Sequence, residues 1–347
     1  MPKTRGKQLA GICFFILVFS LTLWGVFHDE NLGQVFFYLA SANDWWLLPA
    51  VICVLFYILG ESVIIHYLFS RLGTAVRFSR CALYSFIGFF YSAVTPSASG
   101  GQPMQAMAMR KDDIPLAVST VVLAIVTITY KLVLVVVGLG VVLFRPPVIL
   151  HYMDVVDPVI YLGIGLNVAF ITLLLMMVFL PAATRHLGSA ALALWGRIRP
   201  LRNPEKARAR MDRVIGQYHS TAAFFKEHPV MIANVFLMTL VQRFCLFSVI
   251  WFTYKAFGLS GTSPGVMVVL YAMISVAVDM LPLPGGMGIS ERMFLAIFQP
   301  IFGEALILPG MVICRGISYY TQLLISAAMT AAAHFIIRDS VTGTPKT

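Results

Sequence analysis

The chain has 347 residues, 59% of them hydrophobic and 12% charged, and a mean hydropathy of +0.85. That balance excludes an ordinary soluble domain, because a backbone set in lipid has to satisfy its own hydrogen bonds. The apolar runs are long and continuous rather than alternating, so the predicted class is an all-α polytopic membrane protein and not a β-barrel.

The net charge of +10 is gathered between apolar runs. Residues 181–228 hold nine Lys/Arg against three acidic residues, which marks a cytoplasmic loop lying against anionic headgroups. No aromatic stacking pattern accompanies these charges, so nucleic acid is not an expected partner. Cys13, Cys53, Cys81, Cys245 and Cys314 lie in or beside apolar segments with no CxxC pair and read as small buried hydrophobes.

In chain order, Lys3, Arg5 and Lys7 precede Leu9–Phe27, a run long enough to span and without a small-residue cleavage site; it reads as an uncleaved first helix with the N-terminus inside. The segment from His28 to Asp44 has no Lys or Arg and is predicted outside. A second span runs to about Phe69, followed by Arg71, Arg77 and Arg80 inside. The arms Cys81–Val94 and Pro103–Met109 are each too short to cross a bilayer, which takes about 20 residues. They predict a hairpin that enters and leaves on the same side. Ile114–Phe144 and Pro158–Leu180 are the next spans. Residues 205–228 read as a surface helix. Val230–Phe257 is a span, Gly265–Phe302 a second hairpin, and Leu308–Ile337 a last span ending at Arg338 on the cytoplasmic side.

The expected architecture is thus about six full spans plus two re-entrant helical hairpins, in one integral membrane domain. Its parts are 1–44 (first span and outer segment), 45–180 (first repeat), 181–228 (basic loop), 229–338 (second repeat) and 339–347 (tail). Charge bias sets the two repeats in opposite orientation, the geometry of many alternating-access carriers. The hairpins break at similar motifs, Thr95-Pro96-Ser97-Ala98-Ser99-Gly100-Gly101 and Leu281-Pro282-Leu283-Pro284-Gly285-Gly286. Lys131 lies 30 residues after Gly101 and Arg315 lies 29 after Gly286.

Seven charges fall inside apolar runs: Glu61, Lys131, Arg243, Asp279, Glu291, Arg292 and Arg315. Each costs about 3 kcal/mol at mid-bilayer, so they must pair or line a wet cavity. Arg315, Tyr319 and Gln322 fall at helical spacing on one face, as do Thr127 with Lys131 and Ser275 with Asp279. Ser290 is predicted to cap the helix after the second break. The open N–H groups of the two helix starts, with Lys131, Arg243 and Arg315, suit a phosphate. No G-x-S-x-G elbow, HExxH pair or nucleotide-binding motif occurs, and Asp279 lacks a second Asp for an aspartyl protease. No catalytic residue, metal or cofactor is expected.

The first break, the second break extended through Met287-Gly288-Ile289-Ser290-Glu291, and Arg315 together resemble the transmembrane flippase region of the bacterial lysylphosphatidylglycerol synthase/flippase family. The resemblance covers most of the chain. It implies a plasma-membrane lipid translocase that moves an anionic or aminoacylated phospholipid and contributes to resistance against cationic antimicrobial peptides; the charge bias separately sets both termini in the cytoplasm. Full-length members add a soluble lysyltransferase domain. Here the chain runs ten residues past Ile337, so that domain is expected to be absent and lysyltransferase activity is not expected of this chain alone.

The candidate headgroup site comprises Pro96, Gly100, Gly101, Gln102, Lys131, Arg243, Pro282, Pro284, Gly285, Gly286, Gly288, Glu291, Arg315, Tyr319 and Gln322, with Glu61, Asp279 and Arg292 balancing charge. Expected partners are the phospholipid substrate and the anionic membrane surface, with room for a separate soluble synthase and for homo-oligomers. Two other readings compete: the membrane part of a lysyltransferase working with that synthase, and a module recruiting a partner through the 181–228 loop.

Overall fold

The computed structural model describes residues 32–152, 157–179, 216 and 223–341. The predicted first span, most of the basic loop and of its expected surface helix, and the end of the tail lie outside the described residues; 223–227 of that expected helix are helical.

The described chain is helical. In order it forms α1 (Leu32–Ser41), α2 (Asp44–Arg71), α3 (Phe78–Val94), a 3-10 turn (Pro96–Ala98), α4 (Gly101–Lys111), α5 (Leu116–Phe144), the short α6 (Pro147–Leu150) and α7 (Asp157–Phe179). It continues as α8 (Pro229–Phe247), α9 (Val249–Ala256), α10 (Pro264–Val278), a second 3-10 turn (Pro284–Gly286), α11 (Ile289–Phe302), α12 (Glu304–Arg315), a π segment (Gly316–Thr321) and α13 (Gln322–Val341). No strand occurs among the described residues.

Local chemistry sets the ends. Asn43 caps α2 by accepting from the Trp45 N–H at 2.9 Å, with Asp44 in its first turn and Arg71 in its last, each favourable to the helix dipole. Pro264 opens α10 behind the Ser263 cap, a position where its missing N–H is no loss. Ser248 interrupts the α8–α9 stretch, its hydroxyl donating to the Phe244 carbonyl at 2.8 Å, a local bond that bends helices.

Among the described residues, four helical stretches are long and apolar enough to cross a membrane: Asp44–Arg71, Leu116–Phe144, Pro158–Met176 and Pro229–Ala256. The last predicted span is helical from Glu304 to Val341, but the π segment divides it immediately after Arg315. The segment predicted outside contains α1, which packs on α12. Two helix pairs are shorter: α3 and α4 have 17 and 11 residues, α10 and α11 have 15 and 14. Each pair meets at a 3-10 turn.

The buried apolar side chains divide into two clusters, and several long helices serve both. On α2, Ala50, Val54 and Ile58 join one cluster, while Ile64, Ile65 and Leu68 join the other. On α5 the change falls between Ile125 and Leu134, and on α8 between Val235 and Phe247. Glu61, Lys131 and Arg243 occupy these three crossover points. These three charged residues therefore form a layer between two apolar cores, and Asp279, Glu291 and Arg315 belong to helices that pack in the first core.

Candidate functional site: a polar layer between two turns

The two 3-10 turns share one backbone conformation. Thr95 and Leu283 are extended, a proline follows, and the next two residues are left-handed: Ser97 (φ 51°) and Ala98 (φ 54°) in the first turn, Gly285 (φ 57°) and Gly286 (φ 67°) in the second. The equivalent triplets are thus Pro96-Ser97-Ala98 and Pro284-Gly285-Gly286. The sequence motifs had paired Gly100-Gly101 with Gly285-Gly286; conformation corrects that register. Glycine enters the left-handed region without strain, whereas Ser97 and Ala98 are held there at a cost. Gly100 and Gly101 serve packing instead. A Cβ on Gly101 would stand 2.1 Å from Ser92 Oγ, and one on Gly100 2.7 Å from the Thr95 side chain.

The turns touch each other. Ser97 donates to the Leu281 carbonyl at 3.2 Å, and Tyr319, beyond the π segment's start, donates to the Ala93 carbonyl at 2.9 Å. The Tyr319 ring also fills the space that a side chain at Gly285 would need, 2.2 Å from an ideal Cβ.

Around this junction the intramembrane charges are mostly paired. Lys131 on α5 forms a buried ion pair with Asp279 at the end of α10, and the neighbouring Tyr130 hydroxyl donates to the same carboxylate. Lys131 also lies 3.0 Å from Met280 Sδ and 5.5 Å from the centroid of Phe170 on α7. Arg315 Nε donates to Glu291 Oε1 at 2.9 Å, and its Nη2 donates to the Gly285 carbonyl at 3.0 Å. The two cations thus grip opposite ends of one segment, from Asp279 to Glu291. Glu61 accepts from Gln105 on α4 at 2.6 Å, and Gln102 donates to Thr127 at 2.6 Å.

Arg243 differs. Among the described residues it makes no ion pair. Its guanidinium lies 3.4 Å from the Tyr130 ring centroid and 5.0 Å from that of Tyr57, and its buried Nε has no hydrogen-bond partner. Stacking between aromatic faces suits guanidinium and leaves its in-plane donors available.

Three sequence expectations change. Ser290 does not cap α11: Gly288 (φ 85°) is the capping position, and the Gly288 N–H and Ser290 hydroxyl both donate to Glu291 Oε2, at 2.7 and 2.8 Å. That helix start is therefore filled by the protein's own carboxylate, where open donors for a phosphate were expected. Arg292 points to the exposed side of α11 and balances no charge among the described residues. Gln322 is half-buried, and the intervening π turn, with its wider i→i+5 bonding, breaks the α-helical spacing that would set it below Arg315. Pro282 is exposed at the junction, whereas Pro284 and Gly286 are buried in it.

Sequence reasoning missed Gln105, Tyr130 and Tyr57. Two carried a faint signal: Gln105 follows Gln102 by one helical turn, and Tyr130 adjoins Lys131 in an apolar run.

Fold and layer together define a multi-pass α-helical membrane protein with a charged, hydrogen-bonded centre. Residues 8–326 match the family described as the lysylphosphatidylglycerol synthase TM region, and the chain belongs to that family. Membership gives it a membrane role in lysylphosphatidylglycerol handling. No curated protein matches the chain.

Proposed function

We propose that this protein is a lipid translocase of the bacterial plasma membrane. It moves an anionic or aminoacylated phospholipid, such as lysylphosphatidylglycerol, between leaflets, and so lowers the surface charge that attracts cationic antimicrobial peptides. The two short helix pairs act as re-entrant hairpins of two inverted-topology repeats, 45–180 and 229–338, with both termini cytoplasmic. Their matching Pro–left-handed–left-handed turns, and single helices of 11–17 residues where a span takes about 20, support this reading.

The observation that carries it is Arg243. Of Lys131, Arg243 and Arg315, it alone makes no ion pair among the described residues, and a guanidinium held between aromatic faces keeps in-plane donors for a ligand. Arg243 receives the lipid phosphate, the acyl chains stay in the bilayer, and rocking of the two halves exposes the site alternately. Lys131 and Arg315 bind the phosphate on release from their carboxylates, while Glu61 receives an aminoacyl ammonium.

The test is movement of fluorescent phosphatidylglycerol and its lysyl derivative in proteoliposomes, with folding checked by gel filtration. Arg243→Gln, Arg315→Ala and Glu291→Ala should each abolish movement in folded protein; normal movement in all three would reject the site. The family's description as a synthase region favours a second reading, the membrane half of a lysyltransferase. Protein supplied with lipid, lysyl-tRNA and a soluble synthase would then be needed for product to form.

A further inference from the structure

We propose that the protein takes up a proton together with its anionic ligand, and that Asp279 is the proton's site. The proposal rests on the translocase site above and adds what is carried with the lipid.

Asp279 stands at the C-terminal end of α10, where the helix dipole opposes a negative charge. Its side chain is 11% exposed, and two groups from α5 stabilise its ionised form, the Lys131 ammonium and the Tyr130 hydroxyl. Lys131 is also a natural phosphate donor. Its ammonium, 7% exposed and already beside the turn junction, gives up a hydrogen bond to Asp279 when it turns to a phosphate oxygen.

That exchange strands a buried carboxylate. Removing one partner of a buried ion pair is strongly destabilising because the other charge is left uncompensated. The neighbouring elements supply no substitute cation. Arg243 on α8 faces the Tyr130 ring, not the carboxylate, and sits over Tyr57 of α2, where Glu61 is a further anion held by Gln105. On α7, Asn167 and Phe170 are uncharged. On α9, Lys255 is engaged by the Leu259 carbonyl. On α11, Glu291 is held by Arg315, and Arg292 is exposed.

A proton from water resolves the imbalance by forming an O–H bond on Asp279. Charge at the Lys131–Asp279 pair is then conserved. Before binding the pair consists of the ammonium and the carboxylate; afterwards the same place holds the ammonium, the phosphate monoanion and a neutral carboxylic acid. No covalent bond of the lipid is made or broken. Release of the phosphate on the other side returns Lys131 to Asp279 and expels the proton, so one proton accompanies each anionic headgroup.

The experiment is modification of Asp279 by dicyclohexylcarbodiimide, which attacks protonated carboxyl groups in apolar surroundings. It is read by peptide mass mapping in maltoside micelles with and without phosphatidylglycerol, with Asp279→Asn as the assignment control. Lipid movement in proteoliposomes is measured in parallel, with and without an imposed proton gradient. Phosphatidylglycerol should raise Asp279 modification severalfold, and a gradient should accelerate movement. Equal modification with and without the lipid would overturn the proposal even if movement is normal. Lipid-dependent modification without movement would support proton-linked binding and reject the translocase reading instead.

Discussion

The guanidinium of Arg243 lies 3.4 Å over the ring of Tyr130, whose hydroxyl donates to Asp279. One aromatic side chain thus joins the unpaired cation of α8 to the ion pair that binds α5 to the end of α10. Tyr130→Phe keeps the ring and removes the donor; it should lower stability by about 1 kcal/mol. Tyr130→Leu also removes the face under Arg243 and should cost about 1–2 kcal/mol more. Thermal unfolding in detergent checks both. A larger loss for Phe than for Leu would contradict the stacking role.

The Lys131–Asp279 pair predicts non-additivity. Lys131→Met or Asp279→Leu alone leaves one buried partner unmatched and should cost about 3–5 kcal/mol. The double variant Lys131→Met/Asp279→Leu leaves no charge and should be more stable than either single one. Unfolding midpoints of the three proteins decide this; simple addition of the two losses would mean that the groups do not depend on each other.

The two turns predict opposite outcomes for opposite substitutions. Ala98 is left-handed (φ 54°), and Ala98→Gly should stabilise the protein by up to about 1 kcal/mol through relief of strain. Gly285→Ala brings a Cβ to 2.2 Å from the Tyr319 ring at φ 57°, so the Tyr319–Ala93 bond between the hairpins should break. Lipid movement and melting temperature should both fall. The measurement is a side-by-side melt and transport assay; destabilisation by Ala98→Gly would count against the shared turn conformation.

Arg315 uses two different nitrogens, Nε on Glu291 and Nη2 on the Gly285 carbonyl. A lysine cannot span both acceptors with one ammonium. Arg315→Lys should therefore retain the fold yet slow lipid movement about tenfold, the loss of one charge-assisted bond of roughly 1.4 kcal/mol. Initial rates in proteoliposomes test it, and an unchanged rate would show that either bond suffices.

Much of this was legible in the chain. Continuous apolar runs marked the spans, because hydrocarbon tolerates only a helix that bonds to itself. The spans from Asp44, Leu116, Pro158 and Pro229 were read within a few residues. Pro and Gly marked the turns, and buried charges marked the layer, because each is costly enough in lipid to require a reason. What was misread depended on local conformation. Ser97 and Ala98 adopt the backbone that Gly285 and Gly286 adopt, and no residue type announces that. The π segment after Arg315 is likewise silent in the sequence, and it upsets the spacing that linked Arg315 to Gln322.

The sequence by itself determined that this is a helical membrane protein with scarce, expensive charges near two broken segments. Hydropathy and charge are properties of single residues and can be read in order. Only the tertiary structure decided which charges meet. Lys131 takes Asp279 across 148 residues and Arg315 takes Glu291 across 24, while Arg243 is left to aromatic faces. Partner choice depends on angstrom-scale distances between helices far apart in the chain, and those distances are set by how the two apolar cores pack around the layer between them.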